Sequence, residues 1–245
     1  MPLVHFIEGD AGCRYAADEG AVAIVVDALR ASATAAMLLH HGATELLVTS
    51  TVEDARAAKE AWPDALLAGE RGGLPPAGFD CGNSPAEAPR AAGRRVIFTT
   101  TTGAGRLVAA WGAHAAYMGS PVNAAAVASM AASHGVDIVV IAAGLMSDPD
   151  FDAQEDRVGA AYLAACIGWP LGEGAEVCAH WQERIRTEGL DRLFDRAPHA
   201  AELRRIGQGS DVPLCASADL TSAVPVALER LPLGVLVGRA GIACD

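Results

Sequence analysis

The chain has 245 residues, a formal charge of −12, and a hydrophobic fraction of 51% of which little is aromatic. That length suits one large domain or two small lobes sharing a core, and a core of Ala, Val, Leu and Ile suits close-packed helices on buried strands. The acidic balance gives no electrostatic footprint for nucleic acid or an anionic membrane, both of which need clustered Lys and Arg, so neither is expected as a partner.

The start, MPLVHFIEGD, lacks the basic region and apolar run of a signal peptide, and no stretch approaches about 18 charge-free apolar residues, so a cytoplasmic protein is expected. Residues 21–27, AVAIVVD, form an apolar, β-branched run that predicts a buried strand ending in Asp27. A helix over 32–41 follows, closed by Gly42, then a strand over 46–50 and an amphipathic helix over 52–61 ended by Trp62 and Pro63. Residues 69–90 break every periodicity with Gly, Pro, Asp and Asn and predict a long irregular loop. The pattern then restarts with a strand over 94–100, a helix over 105–111, a strand over 115–120 and a helix from about Asn123. An ungapped shift of 70 residues sets Val26 on Val96, Gly42 on Gly112 and Ser50 on Ser120, so units 21–62 and 94–132 are a candidate internal repeat within a single domain spanning 1–245. A strand over 136–144, a helix over 155–167 and a basic amphipathic helix over 181–196 complete the regular part. The fold class expected is α/β: a layered, largely parallel sheet with helices on both faces, and two similar lobes if the repeat is genuine.

In such sheets ligands bind beyond the carboxyl ends of the strands. The first end delivers Asp27, Arg30, Ser32 and Thr34, which read either as a metal carboxylate beside an anion clamp or as an ordinary helix start. An aspartyl-phosphate phosphatase would carry a second aspartate where Leu29 stands, so Asp27 suits a ligand better than a nucleophile. The run Thr99, Thr100, Thr101, Thr102, Gly103 offers hydroxyls and exposed N–H groups for a phosphate or sulfonate, without the lysine of a Walker loop. Within the long loop, Glu70 and Arg71 precede Asp80, Cys81, Asn83 and Ser84; turn chemistry explains part of this density but not Glu70 with Arg71. Asp152 and Glu155 fit a capping-box variant, which leaves Asp156 without a structural duty. The seven histidines lack ligand spacing and read as surface or core residues, which disfavours zinc. The six cysteines, Cys13, Cys81, Cys166, Cys178, Cys215 and Cys244, show neither C-x-x-C pairing nor ligand spacing and read as reduced thiols.

In order and spacing, VVDALRASAT (25–34), GERGGLPPAGFDCGNSP (69–85), TTTTGAG (99–105), GSPVNAAAVA (119–128) and Glu155 with Asp156 resemble the 2-phosphosulfolactate phosphatase family, and residues 197–219 resemble it more loosely. The resemblance implies Mg²⁺-dependent hydrolysis of 2-phospho-3-sulfolactate to 3-sulfolactate and phosphate, a step towards coenzyme M. On that basis Asp27, Arg30, Glu70 and Arg71 are the expected catalytic residues, and Asp27, Glu70, Asp80 and Asp156 the expected metal carboxylates. Arg30, Ser32, Arg71, Asn83, Ser84, Thr100, Thr101, Thr102, Gly103 and Asn123 are the expected substrate contacts. The chain departs from the family at Thr102-Gly103-Ala104, where Asn-Gly-Thr is usual, and at Gly144-Leu145-Met146, where a small polar pair follows the alanine. A phosphatase for another small phosphorylated hydroxy acid, and a non-catalytic anion-binding module, are the alternatives. The expected partner is a small anionic phosphorylated acid, with homo-oligomerisation left open.

Overall fold

A computed structural model describes residues 1–241 apart from 147 and 149; Cys244 lies outside the described residues. The chain runs β1 (Val4–Phe6), α1 (Gly9–Asp18), β2 (Val22–Val26), α2 (Ala31–His40), β3 (Glu45–Val48), α3 (Val52–Ala61) and β4 (Leu66–Gly69). After an irregular loop and a 3₁₀ turn come β5 (Arg95–Thr99), α4 (Gly103–Ala109), β6 (Ala115–Met118), α5 (Ala124–Ala132), β7 (Ile138–Ala142) and α6 (Gln154–Ile167). The tail holds α7 (Ala175–Glu188), α8 (Leu190–Asp195), α9 (Pro198–Arg205), α10 (Asp211–Ala216), β8 (Pro225–Leu231) and β9 (Gly234–Arg239).

The nine strands among the described residues join one sheet in the order β1-β7-β2-β6-β8-β9-β3-β5-β4. The β8–β9 hairpin, which the sequence reading left unassigned, is antiparallel to both neighbours and sits mid-sheet. The sheet is therefore mixed: two parallel halves run in opposite directions on either side of the hairpin. The short strands β1 and β4 and the helix α1 were also absent from the sequence reading. The helix expected over 181–196 is two, α7 and α8, broken at Gly189, whose φ of 89° lies in the region glycine favours.

Strand β2 is buried along its whole length, as its unbroken apolar run requires. Its side chains alternate: Val22, Ile24 and Val26 join the core under α5, α6 and α8, whereas Ala23 and Val25 join a second core with α1, α2 and α4. Helices thus cover both faces. Helix α2 is apolar on every side, and Ala31 to Leu39 are all buried, so it belongs inside a layer rather than on the surface.

Leaving β1 aside, exchanging β2 with β5, β3 with β6, β4 with β7 and β8 with β9 reverses the strand order onto itself. Connecting hydrogen bonds follow the same exchange. His114 N–H donates to Ala21 O and Thr44 N–H to Arg94 O; Gly119 N–H donates to Val25 O and Thr49 N–H to Phe98 O. At the strand ends Ala143 N–H donates to Val26 O and Glu70 N–H to Thr99 O. The two units of the candidate repeat thus occupy equivalent places in the topology, about an approximate two-fold axis.

Candidate active site

The ends of β2, β4, β5 and β7 meet at a cavity of about 300 Å³, closed on one side by α9. This is where the carboxyl ends of parallel strands place ligands. Among the described residues its walls carry Asp27, Glu70, Glu155, Asp156 and Glu202 against two basic residues, Arg30 and His199. Leu29, Phe151, Leu203 and Ile206 supply an apolar side.

Asp27 stands one residue past β2. Its Oδ1 accepts from Ala31 N–H at 3.1 Å and its Oδ2 from Gly103 N–H at 2.9 Å, so one carboxylate joins the starts of α2 and α4. Gly103 permits that approach, since a Cβ there would lie 2.7 Å from both Ala31 Cβ and Asp27 Oδ2. Burial pushes the Asp27 carboxyl up to about 6, offset in part by its hydrogen bond from Ala31 and by His199, and assisted by Glu70 and Glu155. Asp156, on the first turn of α6, accepts from Ala28 N–H at 2.7 Å and Gly144 N–H at 3.0 Å. Burial, then the charges of Glu155 and Asp27, hold its carboxyl well above the usual range.

Glu70 follows β4. Its Oε1 accepts from Thr101 N–H at 2.7 Å, while Oε2 accepts from Gly73 N–H at 2.8 Å and Thr101 Oγ1 at 3.0 Å. The close seat of β4 on β5 depends on Gly69, whose φ is 143° and whose added Cβ would lie 1.8 Å from Thr99 O. The N–H groups expected to cradle a substrate anion around Thr101 and Gly103 are therefore already donating to Glu70 and Asp27. The threonine turn holds the protein's own carboxylates in place, and of its side chains only Thr101 and Thr102 line the cavity.

Several expected contacts fall elsewhere, each for a visible reason. Ser32 is fully buried, donating to Val25 O and accepting from Asp27 N–H. Thr100 Oγ1 accepts from Ala104 N–H as a helix cap. Asn123 bridges Ser120 N–H, Met118 O and Ala223 O inside the fold. Ser84 donates to Asp211 Oδ1 at 2.7 Å. Asp80 is exposed and accepts from Leu67 N–H at the sheet edge, outside the cavity lining, so it does not join the other carboxylates. Arg71 also lies outside the lining: its guanidinium donates to Glu70 O, Ser50 O and Thr99 Oγ1. Arg30 does reach the cavity, but as a buried partner of Asp211 at 2.6 Å, with further bonds to Gln208 Oε1 and Gly73 O. It is a tie between α2 and the tail rather than an uncommitted fork for substrate. Asn83 lines the cavity, and its buried Oδ1 has no hydrogen-bond partner among the described residues.

Two residues of the site were missed. Glu155 takes no part in a capping box: Asp152 pairs with Arg157, while Glu155 Oε1 lies 3.0 Å from His199 Nδ1. Its Oε2 is buried without a partner among the described residues. Burial works against the charged form of His199, but the hydrogen bond to Glu155 and the charges of Glu155, Asp27 and Glu70 outweigh it and raise the pKa. Residue spacing carried no signal for this pair, which are 44 residues apart. Cys81 is buried, and desolvation raises its thiol pKa, which keeps it out of nucleophilic chemistry. With Cys13, Cys166, Cys178 and Cys215 it is a free thiol, as expected.

A sheet whose strand ends deliver buried carboxylates into one small cavity defines an α/β enzyme acting on a small polar molecule. The sequence profile of the 2-phosphosulpholactate phosphatase family matches residues 13–230. A protein of Deinococcus radiodurans named probable 2-phosphosulfolactate phosphatase is 39% identical, covering 90% of this chain and 94% of its own. Like-named proteins of Thermus thermophilus and Carboxydothermus hydrogenoformans are 38% and 34% identical, over 89% and 84% of this chain and 93% and 86% of their own. The chain belongs to the 2-phosphosulfolactate phosphatase family and is a phosphoric monoester hydrolase. No helix among the described residues is long and apolar enough to cross a membrane.

Proposed function

We propose that this enzyme hydrolyses 2-phospho-3-sulfolactate to 3-sulfolactate and phosphate, with Mg²⁺ held at the wall formed by Asp27, Glu70 and Asp156. The observation that carries the reading is the charge of the cavity, five carboxylates against Arg30 and His199. A substrate bearing phosphate, sulfonate and carboxylate would be repelled from such a site without a cation. The donors suit one: all are hard oxygens, and burial first, then the neighbouring carboxylates, raises the Asp27 and Asp156 carboxyls, a cost that a bound cation would offset. Among the described residues no three such side chains are grouped closely enough to hold a metal ion together. The proposal therefore asks for only one or two of these carboxylates as direct ligands, with waters and substrate oxygens completing the shell. When bound, the ion would neutralise phosphoryl charge and polarise the ester.

The chain's own residues contribute orientation. Each oxygen of Asp27, Glu70 and Asp156 accepts at least one N–H, so these carboxylates cannot swing. Leu29, Phe151, Leu203 and Ile206 limit water around the ester. We place the reaction in the cytoplasm, as a step towards coenzyme M.

A second reading, a phosphatase for another small phosphorylated hydroxy acid, is favoured by Leu145, an apolar wall residue where the family's pattern has a small polar one. Ala104 does not bear on it, since Ala104 is fully buried. Comparing kcat/KM for 2-phosphosulfolactate, phospholactate and phosphoglycolate in Mg²⁺ separates the two. Preference for the sulfonated ester by about tenfold or more is expected, the contrast that one hydrogen bond to a charged group provides. Equal rates would favour the second reading.

A further inference from the structure

Cleaving an alkyl phosphate leaves an oxygen far too basic to depart as an alkoxide near neutral pH, so a proton has to reach it as the P–O bond breaks. Asp27, Glu70 and Asp156 turn their oxygens to backbone N–H donors. Arg30 is tied to Asp211, Gln208 and Gly73, and a guanidinium does not give up its proton. The Thr102 hydroxyl and the Asn83 amide line the cavity, but neither is acidic enough to serve.

His199 is different. It stands at the start of α9 with its side chain 31% exposed on the cavity wall. Its Nδ1 is 3.0 Å from Glu155 Oε1, and Phe151 meets the ring edge-on with centroids 6.0 Å apart. These two contacts fix the plane and the tautomer: Nδ1 donates to Glu155, and Nε2, without a partner among the described residues, is left for the cavity. Glu155 is 1% exposed, so the pair resists exchange with water.

We propose that His199, oriented by Glu155, is the acid that protonates the departing ester oxygen, a role that rests on the phosphatase reading above. A water oxygen forms the new bond to phosphorus while the bond from phosphorus to the ester oxygen breaks, its electron pair staying on that oxygen. The Nε2 proton moves to this oxygen and releases the alcohol. The proton lost by the attacking water restores the imidazolium, and phosphate leaves. His199 is thus a catalytic residue, and Glu155 a positioning residue.

The test uses leaving-group dependence, which a merely structural role would not move. His199→Gln should lower kcat for the alkyl ester by about 100-fold or more. For 4-nitrophenyl phosphate, whose leaving group needs no proton, the same variant should lose less than about tenfold. Glu155→Gln, which keeps an acceptor but not the charge, should fall between the two. Thermal unfolding checks the fold, and His199→Asn replaces His199→Gln if the latter unfolds. An equal fall on both esters, or an alkyl-ester kcat within about threefold of the parent, overturns the assignment. A parent that cleaves phospholactate but not 2-phosphosulfolactate defeats only the substrate reading, and His199 is then judged on phospholactate. A parent inactive on every ester defeats both.

Discussion

The two units of the frame, β2 to β4 and β5 to β7, occupy equivalent places in the sheet, yet they do different work at the same strand positions. One residue past β2 stands Asp27, and one residue past β5 stands Thr100. Each side chain accepts from the N–H four residues on, Ala31 for Asp27 and Ala104 for Thr100, so the local device is shared. Past β4 and β7 stand Glu70 and Ala143, whose N–H groups make matching bonds to Thr99 O and Val26 O. The unit built on β2 to β4 supplies the carboxylates at these positions, while the unit built on β5 to β7 supplies N–H groups that help to hold them, Thr101 for Glu70 and Gly103 for Asp27. A symmetric frame thus gives a polar site only where the side chains break the symmetry.

The units also differ in how they meet the tail. Arg30 ties the turn after β2 to Asp211, and both side chains are 2% exposed. After β5 the turn is seated differently, with Gly103 packed directly on Asp27 and the buried Arg106 of α4 paired with Asp10. Asp211→Ala would strand the buried guanidinium and should destabilise the protein by about 3–5 kcal/mol, read from denaturant unfolding. A loss below about 1 kcal/mol would mean that the tail is docked by its apolar contacts alone.

A smaller effect isolates Asp27. Its carboxyl is raised to about 6 from an ordinary 3.8, so without metal the folded protein takes up this proton before the unfolded chain does. The penalty for the buried charge is complete above pH about 6, and it is relieved as the pH falls towards about 4. In EDTA the parent should therefore gain stability relative to Asp27→Asn between pH 7 and 5. Parallel pH curves for the two would remove the buried-charge account. The asparagine also turns an amide N–H₂ towards Gly103 or Ala31 N–H, at a cost of about 1–3 kcal/mol at every pH.

Thr100→Val sharpens the comparison from the other unit. It removes the cap on Ala104 N–H and should cost about 1 kcal/mol, with kcat/KM within about twofold of the parent because Thr100 does not line the cavity. A large loss of activity here would show that the two turns share the chemistry.

Much of this frame was legible in the sequence. The apolar run ending at Asp27 and the strand ending in threonines both end at the cavity, and the topology exchanges β2 with β5 at a register of 73, so that Val26 matches Thr99 where the ungapped shift of 70 set it on Val96. The strands β1 and β4, of three and four residues, carry too little periodicity to register, and β8 with β9 lacks a tight-turn signal such as Asn-Gly. Asp27, Glu70 and Asp156, which end strands or open a helix, do line one cavity. Arg71, Asp80 and Asn123 lie outside its lining, because a motif places a residue near a site without saying which way it turns. Glu155 and His199 were missed because their meaning lies in their contact, made when α9 folds over α6.

The central claim is that the wall formed by Asp27, Glu70 and Asp156 binds the cation that admits an anionic ester. Titrating Mg²⁺ into metal-free parent and Asp27→Asn, with phosphate release from 2-phosphosulfolactate followed alongside, tests it most directly. The parent should bind Mg²⁺ and gain activity in step with occupancy, and Asp27→Asn, folded, should lose roughly 100-fold or more of both affinity and rate. Full turnover by the parent after exhaustive chelation, or an Asp27→Asn protein that binds and turns over like the parent, would contradict it.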